Sequence, residues 1–448
     1  TEKAKTLVRM AAAKATLVEP LAAASLDVTP SALVIGGGLA GMTAALGIAD
    51  QGFEVTLVER ENQLGGNLRN LRYTFVESDI QAYLRTLTKH VQKHQNITAY
   101  TGTELESLEG FVGNFESTLK TSTKQTKVKH GVIIVATGGS ETKPDEYLYG
   151  SDEYIITQLQ LEDLLSKDSQ ISTAKSVVMI QCVGSREEEH MYCSRVCCST
   201  AVKNALKIKE LSPETEVYIL YRDIRTYGFD EGYFQAARDK GVIFVRYDLD
   251  NKPTVTNNGE LKVEVHEPLL DRQLILEPDL LVLSSRINPA SGNESLAQRL
   301  RVPVNEDGFF LEAHAKLRPV EFATEGIFVA GLAHSPKSMP ETIAQAEAAA
   351  AKACTIISKD KYKAEPTIAA VSEALCDGCG ICVPVCDYNA LEVVPRKSSS
   401  DDEKVIQINE AMCKGCGGCV AACPSGAMEQ KGFKNEQILA MIEAALVD

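Results

Sequence analysis

Apolar positions along the 448-residue chain fall into two kinds of run. Short, nearly unbroken stretches of branched aliphatic residues read as buried strands, and longer stretches with apolar positions three and four apart read as helices. Ser31–Ile35 is the first such strand, and helix Leu39–Gln51 and strand Glu54–Glu59 follow it. That strand–helix–strand unit is long enough for a parallel crossover. A second unit runs from strand Ser176–Gln181 through a helix around Ser199–Leu211 to strand Glu216–Tyr221. Lysine- and threonine-rich alternation over Ser117–Lys129 predicts antiparallel strands, followed by the apolar strand Val132–Ala136. Val263–Glu267 with Arg272–Leu276 predicts a hairpin, and Leu280–Ser284 and Gly326–Ala330 predict further buried strands. Helical periodicity covers residues 3–24 and stops near Asp27 and Pro30. An alanine-rich helix, Glu341–Ser358, precedes a polar linker, Lys359–Glu365. Beyond the linker, two cysteine-rich halves of similar pattern flank a polar loop, Arg396–Lys404, an internal duplication.

Length implies two or three domains. Hydrophobic residues at 44% and charged residues at 24% are ordinary for a globular chain. The formal net charge of −15 argues against nucleic acid, which needs a basic footprint. No window supplies the roughly 18 uninterrupted apolar residues of a membrane span. The basic, alanine-rich opening (Lys3, Lys5, Arg9, Lys14) reads as a packed linker helix, although an organelle-targeting helix shares that look. The chain starts without Met, which leaves open a processed or trimmed form. Thirteen cysteines at tight, regular spacings read as metal-cluster ligands in a reducing compartment, and so as cytoplasmic.

Gly36, Gly38 and Gly41 form G-x-G-x-x-G between strand and helix, the arrangement that lets backbone approach a pyrophosphate at a helix N-terminus. Glu59 ends the next strand, where an acid accepts ribose hydroxyls, and Arg60 beside it is counted with the site. Leu64-Gly65-Gly66-Asn67, Ala136-Thr137-Gly138-Gly139 and Gly326–Gly331 then resemble the thioredoxin-reductase-like flavoproteins with two dinucleotide-binding domains. The resemblance implies FAD, held by those glycines together with Asn67, Thr137 and Gly331. Leu332 departs from it, because relatives carry an Asp there that binds the ribityl chain; flavin contact is expected instead from Ala333–Ile343. The expected fold is α/β, that of a thioredoxin-reductase-like two-dinucleotide-binding-domain flavoprotein with a C-terminal two-cluster ferredoxin-like α+β domain. Expected boundaries are 1–30 for the opening helix and linker, 31–150 with 290–358 for the FAD domain, 151–289 for the second Rossmann-like domain, and 366–448 for the tail.

In such relatives the second unit binds NADPH through its own glycines. Here its turn reads Cys182-Val183-Gly184-Ser185-Arg186, with one glycine, so no nicotinamide site is expected. Cys182, Cys193, Cys197 and Cys198 stand in its place. If helical, Cys193 and Cys197 share a face while Cys198 points roughly 100° away. On spacing alone three readings stand: a cluster, a redox-active Cys197–Cys198 pair, or inert buried thiols. Gln181–Arg186 and Tyr192–Cys198 also resemble the A-type chain of heterodisulfide reductase and its relatives, as do Asp307–Glu312, Lys316–Pro319 and the opening helix. That resemblance covers nearly the whole chain. It implies a [4Fe–4S] cluster on these four cysteines beside the FAD, and a lysine, Lys203, near flavin N5, where a cation stabilises reduced flavin. Longer members carry an N-terminal cluster-binding domain or an inserted ferredoxin module. This chain shows neither and reads as a short version or a fragment.

The tail carries Cys376-x-x-Cys379-x-x-Cys382-x-x-x-Cys386 and Cys413-x-x-Cys416-x-x-Cys419-x-x-x-Cys423-Pro424, the two-cluster ferredoxin spacing. In that pattern the fourth ligand crosses to the other cluster. Cys376, Cys379, Cys382 and Cys423 are therefore assigned to one cubane, and Cys386, Cys413, Cys416 and Cys419 to the other. Asp387 replaces the usual proline, which bears on potential rather than ligation. Zinc, which also accepts four thiolates, is disfavoured by the interleaved eight-cysteine spacing. Cys354 has no partner in this scheme and reads as structural.

Together these features predict an electron-transfer oxidoreductase subunit with one FAD and three [4Fe–4S] clusters. The resemblance implies flavin-based electron bifurcation or its reverse, partners of the heterodisulfide reductase B and C types, a hydrogenase or formate dehydrogenase module, ferredoxin as acceptor, and a homodimer within a larger complex. Rival readings are a non-bifurcating relay of a quinone-linked or acyl-CoA-reducing complex, a stand-alone disulfide reductase, and a non-enzymatic scaffold.

Overall fold

The computed structural model describes residues 1–23, 25–167, 174–396 and 403–446. The chain forms two compact units, one of Ser31–Leu108 with Glu116–Thr355, the other of Thr1–Pro30, Glu109–Phe115 and Ile356–Asp448.

The larger unit contains two five-stranded parallel sheets. In the first, the order is Ile327–Val329, Val132–Val135, Ser31–Ile35, Glu54–Val58, Ile97–Tyr100. Val132–Val135 is buried at every position and Ser31–Ile35 at all but its first, as expected for strands covered on both faces. Helix Leu39–Ala49 connects Ser31–Ile35 to Glu54–Val58 and is apolar almost all round, with Met42, Ala44, Ala45 and Ile48 fully buried. The chain reverses its direction of build between Ser31–Ile35 and Val132–Val135, and the carboxyl ends of such neighbouring strands form the ligand crevice of an open α/β sheet.

The second sheet repeats the plan: Ile155–Thr157, Leu280–Ser285, Ser176–Val183, Glu216–Tyr221, Ile243–Arg246, all parallel. Helix Cys197–Leu211 covers one face with Ala201, Val202 and Ala205 against Val177 and Met179. The hairpin Leu261–Glu267 and Arg272–Leu276 covers the other, through Val263 and Val265 against Val178 and Ile180. Two short antiparallel strands, Gly139–Glu141 and Ile287–Pro289, carry the chain between the sheets and back.

In the smaller unit, helix Glu2–Ala15 packs on helix Asn435–Leu446. Lys14 Nζ lies 3.6 Å from the Phe433 ring centre, and Gln437 donates to Leu17 O. The opening helix is shorter than its periodicity predicts. Leu17-Val18-Glu19-Pro20 follows, and a proline pushes the residue before it out of helical conformation. The stretch expected as a linker instead contributes strand Lys361–Lys363, paired antiparallel with Ser25–Asp27. The two cysteine-rich halves flank the hairpin Leu391–Pro395 and Lys404–Ile408; most of the loop expected between them, 397–402, lies outside the described residues.

Thr157 caps helix Gln158–Ser166 in a capping box with Gln160 and donates to Glu141 Oε2 at 2.8 Å. Thr157→Ala removes both interactions and is expected to cost about 1–2 kcal/mol, read as a lowered urea midpoint.

Candidate functional site

Gly36 leaves the first sheet with φ +112°, and a Cβ there would stand 2.2 Å from Ala136 O on the neighbouring strand. A Cβ on Gly41 would stand 1.7 Å from Gly36 O, so turn and helix close on each other only as glycines. Gly38 caps the helix without a side-chain bond, and Gly66 faces it across a gap a Cβ on Gly66 would narrow to 3.1 Å from Gly38 Cα. Helix N–H groups left unpaired beside an uncrowded backbone cradle fit a dinucleotide pyrophosphate. Glu59 is buried and fixed by two backbone donors, Gly37 N to Oε2 at 2.7 Å and Glu61 N to Oε1 at 2.8 Å; each oxygen keeps a lone pair for a ribose hydroxyl. Asn67 Nδ2 donates to Gly139 O, and Thr137 Oγ1 to Asn293 Oδ1. Gly138 has φ +79° and open space about it, Gly65 has φ +121° below the crevice, and Gly331 packs its Cα side against Ala40. Arg60 is exposed and donates to the carbonyl and hydroxyl of Ser291.

Behind Gly331 lies a cation that the sequence pattern does not announce. Lys337 is buried and donates to Gly331 O at 2.7 Å, Ser335 O at 2.8 Å and Ser335 Oγ at 3.2 Å. Burial, and then the nearby Arg195 charge, press its pKa down to about 7. Helix Met339–Ile357 follows, with Ser338 and Glu341 bonding each other's backbone N–H. Nothing in a lone Pro-Lys-Ser marks such a residue in advance.

The second sheet shows what replaces the nicotinamide turn. Ile180 pairs with Leu283 and Val183 with Ser285, so two residues, Gln181 and Cys182, oppose one. This β-bulge, unusual in a parallel pair, carries Cys182 at φ +64°. Ile180 and Val183 both belong to the core on the hairpin side. Gln181 and Cys182 between them therefore turn to the opposite face, that of helix Cys197–Leu211. Cys197 and Cys198 open that helix. The condition for Cys193 and Cys197 to share a helical face is not met: Cys193 precedes the helix in a loop where Arg195 has φ +59°.

The four thiols nonetheless converge. Cys197 is pushed well above the usual thiol range, first by its hydrogen bond with Cys198 and by burial, then by the charges of Cys198, Cys182 and Cys193. Cys198 moves the other way, held down by Cys197 and by Arg225 and Arg186 against the pull of burial. Burial raises Cys182, opposed by Arg222 and Arg186. Six of the ten buried side-chain nitrogen and oxygen atoms without a hydrogen-bond partner among the described residues lie at this edge: Gln181 Nε2 and Oε1, Arg222 Nε, Ser285 Oγ, and Arg286 Nε and Nη1. Arg222 among them acts directly on Cys182, and unpaired donors at an edge that carries four thiols fit a sulfide-rich anion. Cys193 also borders a cavity of about 580 Å³ lined by Arg195, Arg225, Tyr227 and Asp307.

Lys203 sits on the same helix. Its Nζ donates to Glu162 Oε2 at 2.5 Å and to Tyr73 O at 2.9 Å, and burial lowers its pKa while Glu162 opposes the shift.

In the tail, the structure brings Cys423 beside Cys376, Cys379 and Cys382, whose charges act on Cys382 after burial raises it. Burial raises Cys419 to about 11, and Cys413, Cys416 and Cys386 add to the shift. Those last four thiols line one cavity with Tyr388 and Gln430. Gly415 takes φ +60° where a Cβ would meet Thr367 O at 1.9 Å, which wraps the chain tightly around that cavity. Ala369 N donates to Cys413 Sγ at 3.4 Å and Ala390 N to Cys386 Sγ at 3.3 Å, the N–H···S pattern of cluster thiolates. Among the described residues no three His, Cys, Asp or Glu side chains converge as one metal ion requires; cubane thiolates stand at separate iron corners instead. Cys354 is buried in helix Met339–Ile357, away from both groups in sequence, and burial raises it. No described helix is long and apolar enough to cross a membrane.

Two dinucleotide-binding sheets with a glycine cradle, followed by eight interleaved thiols, define an iron–sulfur flavoprotein. Residues 30–180 match the family model described as pyridine nucleotide-disulphide oxidoreductase, and 375–427 match the 4Fe-4S dicluster domain. The thioredoxin reductase of Lactococcus lactis shares the fold, with a TM-score of 0.51 at 15% identity over 73% of this chain and 99% of that one. The second of the iron-sulfur A subunits of the CoB--CoM heterodisulfide reductase of Methanopyrus kandleri is 37% identical, covering 100% of this chain and 82% of its own length. The A subunit of the H(2):CoB-CoM heterodisulfide,ferredoxin reductase of Methanothermobacter marburgensis is 36% identical, covering 100% and 81%. This chain belongs to the family of heterodisulfide reductase A subunits, and it is an oxidoreductase component that transfers electrons through FAD and iron–sulfur clusters.

Lys337 yields a prediction with a definite sign. Its folded pKa, about 7, lies below the ordinary 10.5, so between those values the unfolded chain binds the extra proton. Stability then rises with pH across that window and is lowest below about pH 7. Relative to Lys337→Met, the wild-type unfolding free energy is expected to climb by up to about 1.4 kcal/mol per pH unit. Urea unfolding at several pH values would show two parallel curves if the assignment is wrong.

Proposed function

We propose that this chain holds one FAD in the first-sheet crevice, two [4Fe–4S] clusters in the tail and a third on Cys182, Cys193, Cys197 and Cys198, and that it splits or merges electron pairs within a heterodisulfide-reductase-type complex. The observation that carries the reading is the convergence of four thiols at a sheet edge with unpartnered buried side-chain donors, where relatives of this fold bind a nicotinamide. A bound flavin takes electrons in pairs and passes them singly, while a cubane carries one at a time.

The chain's own residues set the conditions. Gly36, Gly38, Gly41, Gly65, Gly66, Gly138 and Gly331 clear space for the dinucleotide; Glu59, with Arg60 at its rim, would orient the ribose, and Asn67 and Thr137 shape the crevice floor. Lys203, buried and paired with Glu162, is the cation proposed to favour reduced flavin. Cys376, Cys379, Cys382 and Cys423 would hold one tail cubane and Cys386, Cys413, Cys416 and Cys419 the other. Partners in this reading are heterodisulfide reductase chains of the B and C types, a hydrogenase or formate dehydrogenase module, ferredoxin, and a second copy of the chain. The name of the Methanothermobacter marburgensis relative couples H2, the CoB-CoM heterodisulfide and ferredoxin. Cysteines without disulfides among the described residues suit the reducing cytoplasm.

A second reading has one observation behind it. The adjacent, hydrogen-bonded Cys197 and Cys198, one raised and one lowered, are also what a redox-active thiol pair needs.

Iron, sulfide and FAD counts after anaerobic purification decide between them. About twelve irons and one FAD per chain are expected, and Cys193→Ser should lower the iron by about four. About eight irons in the wild type would revive the thiol-pair reading. Lys203→Gln is expected to lower the flavin potential in an anaerobic dye titration; an unmoved potential removes Lys203 from the flavin's environment. Bifurcation itself requires crossed one-electron flavin potentials in the same titration, and uncrossed values would reduce the protein to a relay.

A further inference from the structure

Gln181 is fully buried, and both ends of its amide lack a partner. Leaving one such group unpaired in an interior costs about 1–3 kcal/mol, so the residue calls for an explanation. Its position supplies one. The bulge that turns Cys182 toward helix Cys197–Leu211 turns Gln181 the same way, because Ile180 and Val183 on either side both face the hairpin. The bulge is itself held from behind: Tyr247 donates its hydroxyl to Gln181 O at 2.6 Å, and Tyr247 is buried. The side chain is thereby fixed on the face that carries Cys182, Cys197 and Cys198. It is fully buried there.

We infer that Gln181 donates an N–H···S hydrogen bond to the cluster held by Cys182, Cys193, Cys197 and Cys198, and so raises that cluster's reduction potential. The inference rests on the cluster reading above. A cubane bound by four thiolates offers sulfur acceptors and no donors, so the Nε2 end faces it. The Oε1 end is left for a donor of the same edge, where Ser285 Oγ and Arg222 Nε are both free. Reduction adds negative charge to a cluster, and a fixed N–H dipole stabilises the reduced form more than the oxidised one. Arg186, whose Nη1 lies 3.9 Å from Cys182 Sγ, acts in the same direction, but its Nη2 is tied to Asp223 Oδ2 at 2.6 Å. Gln181 carries no such counter-charge.

The test is Gln181→Leu in the full chain, purified anaerobically and followed by EPR-monitored redox titration together with iron counting. With about twelve irons retained, one cluster is expected to show a reduced-to-oxidised ratio roughly tenfold lower at fixed potential, a downward shift of about 59 mV for one electron. Full iron with unmoved potentials overturns the role of Gln181 and leaves the cluster reading standing. About eight irons in the wild type removes the cluster and this inference with it. If the variant loses its cluster, the wild type still decides: with side-chain 15N-glutamine, electron–nuclear double resonance of the reduced cluster should show a nitrogen coupling, and none would overturn the bond.

Discussion

Buried hydrogen-bonding groups must find partners, and at one edge of the second sheet this chain does not provide them. Arg222, Ser285, Arg286 and Gln181 all stand at or just past the carboxyl ends of three neighbouring strands, Glu216–Tyr221, Leu280–Ser285 and Ser176–Val183. In a nicotinamide-binding relative that edge is satisfied by glycine-turn backbone and a pyrophosphate. Here the turn is bulged, Cys182 takes a left-handed conformation, and side-chain donors replace the backbone ones. Such an edge is costly as protein alone and favourable around an anion, which ties the fold of the second domain to whatever occupies it.

The same constraint organises the ground between the two sheets. Ser284, opposite the bulge, accepts from Gln158; Asn204 donates to Gln158 Oε1 and accepts from the Tyr73 hydroxyl. Lys203 and Glu162 lie alongside, with Glu162 also accepting from the backbone N–H of Arg72. On the other side Arg195, two residues past Cys193, bonds Glu341 at 2.6 Å and Pro336 O, and so joins the cysteine loop to the helix that starts behind Gly331. Buried polar chains of this kind are rigid when fully paired. With apolar contacts such as Phe75 on Tyr233 and Tyr192 on Phe309, they hold the cysteine edge and the glycine crevice in one frame.

Much of this was legible in the residue pattern. Strands such as Ser31–Ile35 and Val132–Val135 declare themselves because burial on both faces demands unbroken branched residues, and the glycine spacing marks its own turn. Errors fell where local pattern and tertiary context part. The opening helix stops at Ala15 because the proline at 20 outweighs the periodicity before it. Lys361–Lys363 became a strand because Ser25–Asp27 offers an edge, which no local window contains. The spacing of Cys193 to Cys197 leaves open whether a helix joins them, and the left-handed Arg195 breaks the backbone between them. Lys337 and Gln181 were invisible for a further reason: a buried lysine or glutamine has the same letter as a solvated one, and only its missing or unusual partners distinguish it.

The two cysteine groups also differ in what surrounds their sulfurs. In the tail, main-chain N–H groups of Ala369 and Ala390 reach Cys413 and Cys386, on turns whose glycines leave no space for alternatives. Their hydrogen bonds are properties of the fold, and a substitution that removed one would unmake the turn. At the second sheet two backbone donors reach thiols, Arg195 N to Cys193 at 3.3 Å and Arg225 N to Cys198, while the donors near Cys182 are the side chains of Arg186 and Arg222 and, in the proposal, Gln181. Since cluster potentials respond to hydrogen bonds and charge near the sulfurs, the tail is built for constancy. Around Cys182 the surroundings of the proposed cluster are adjustable by single side-chain changes, the freedom that setting neighbouring potentials apart would require.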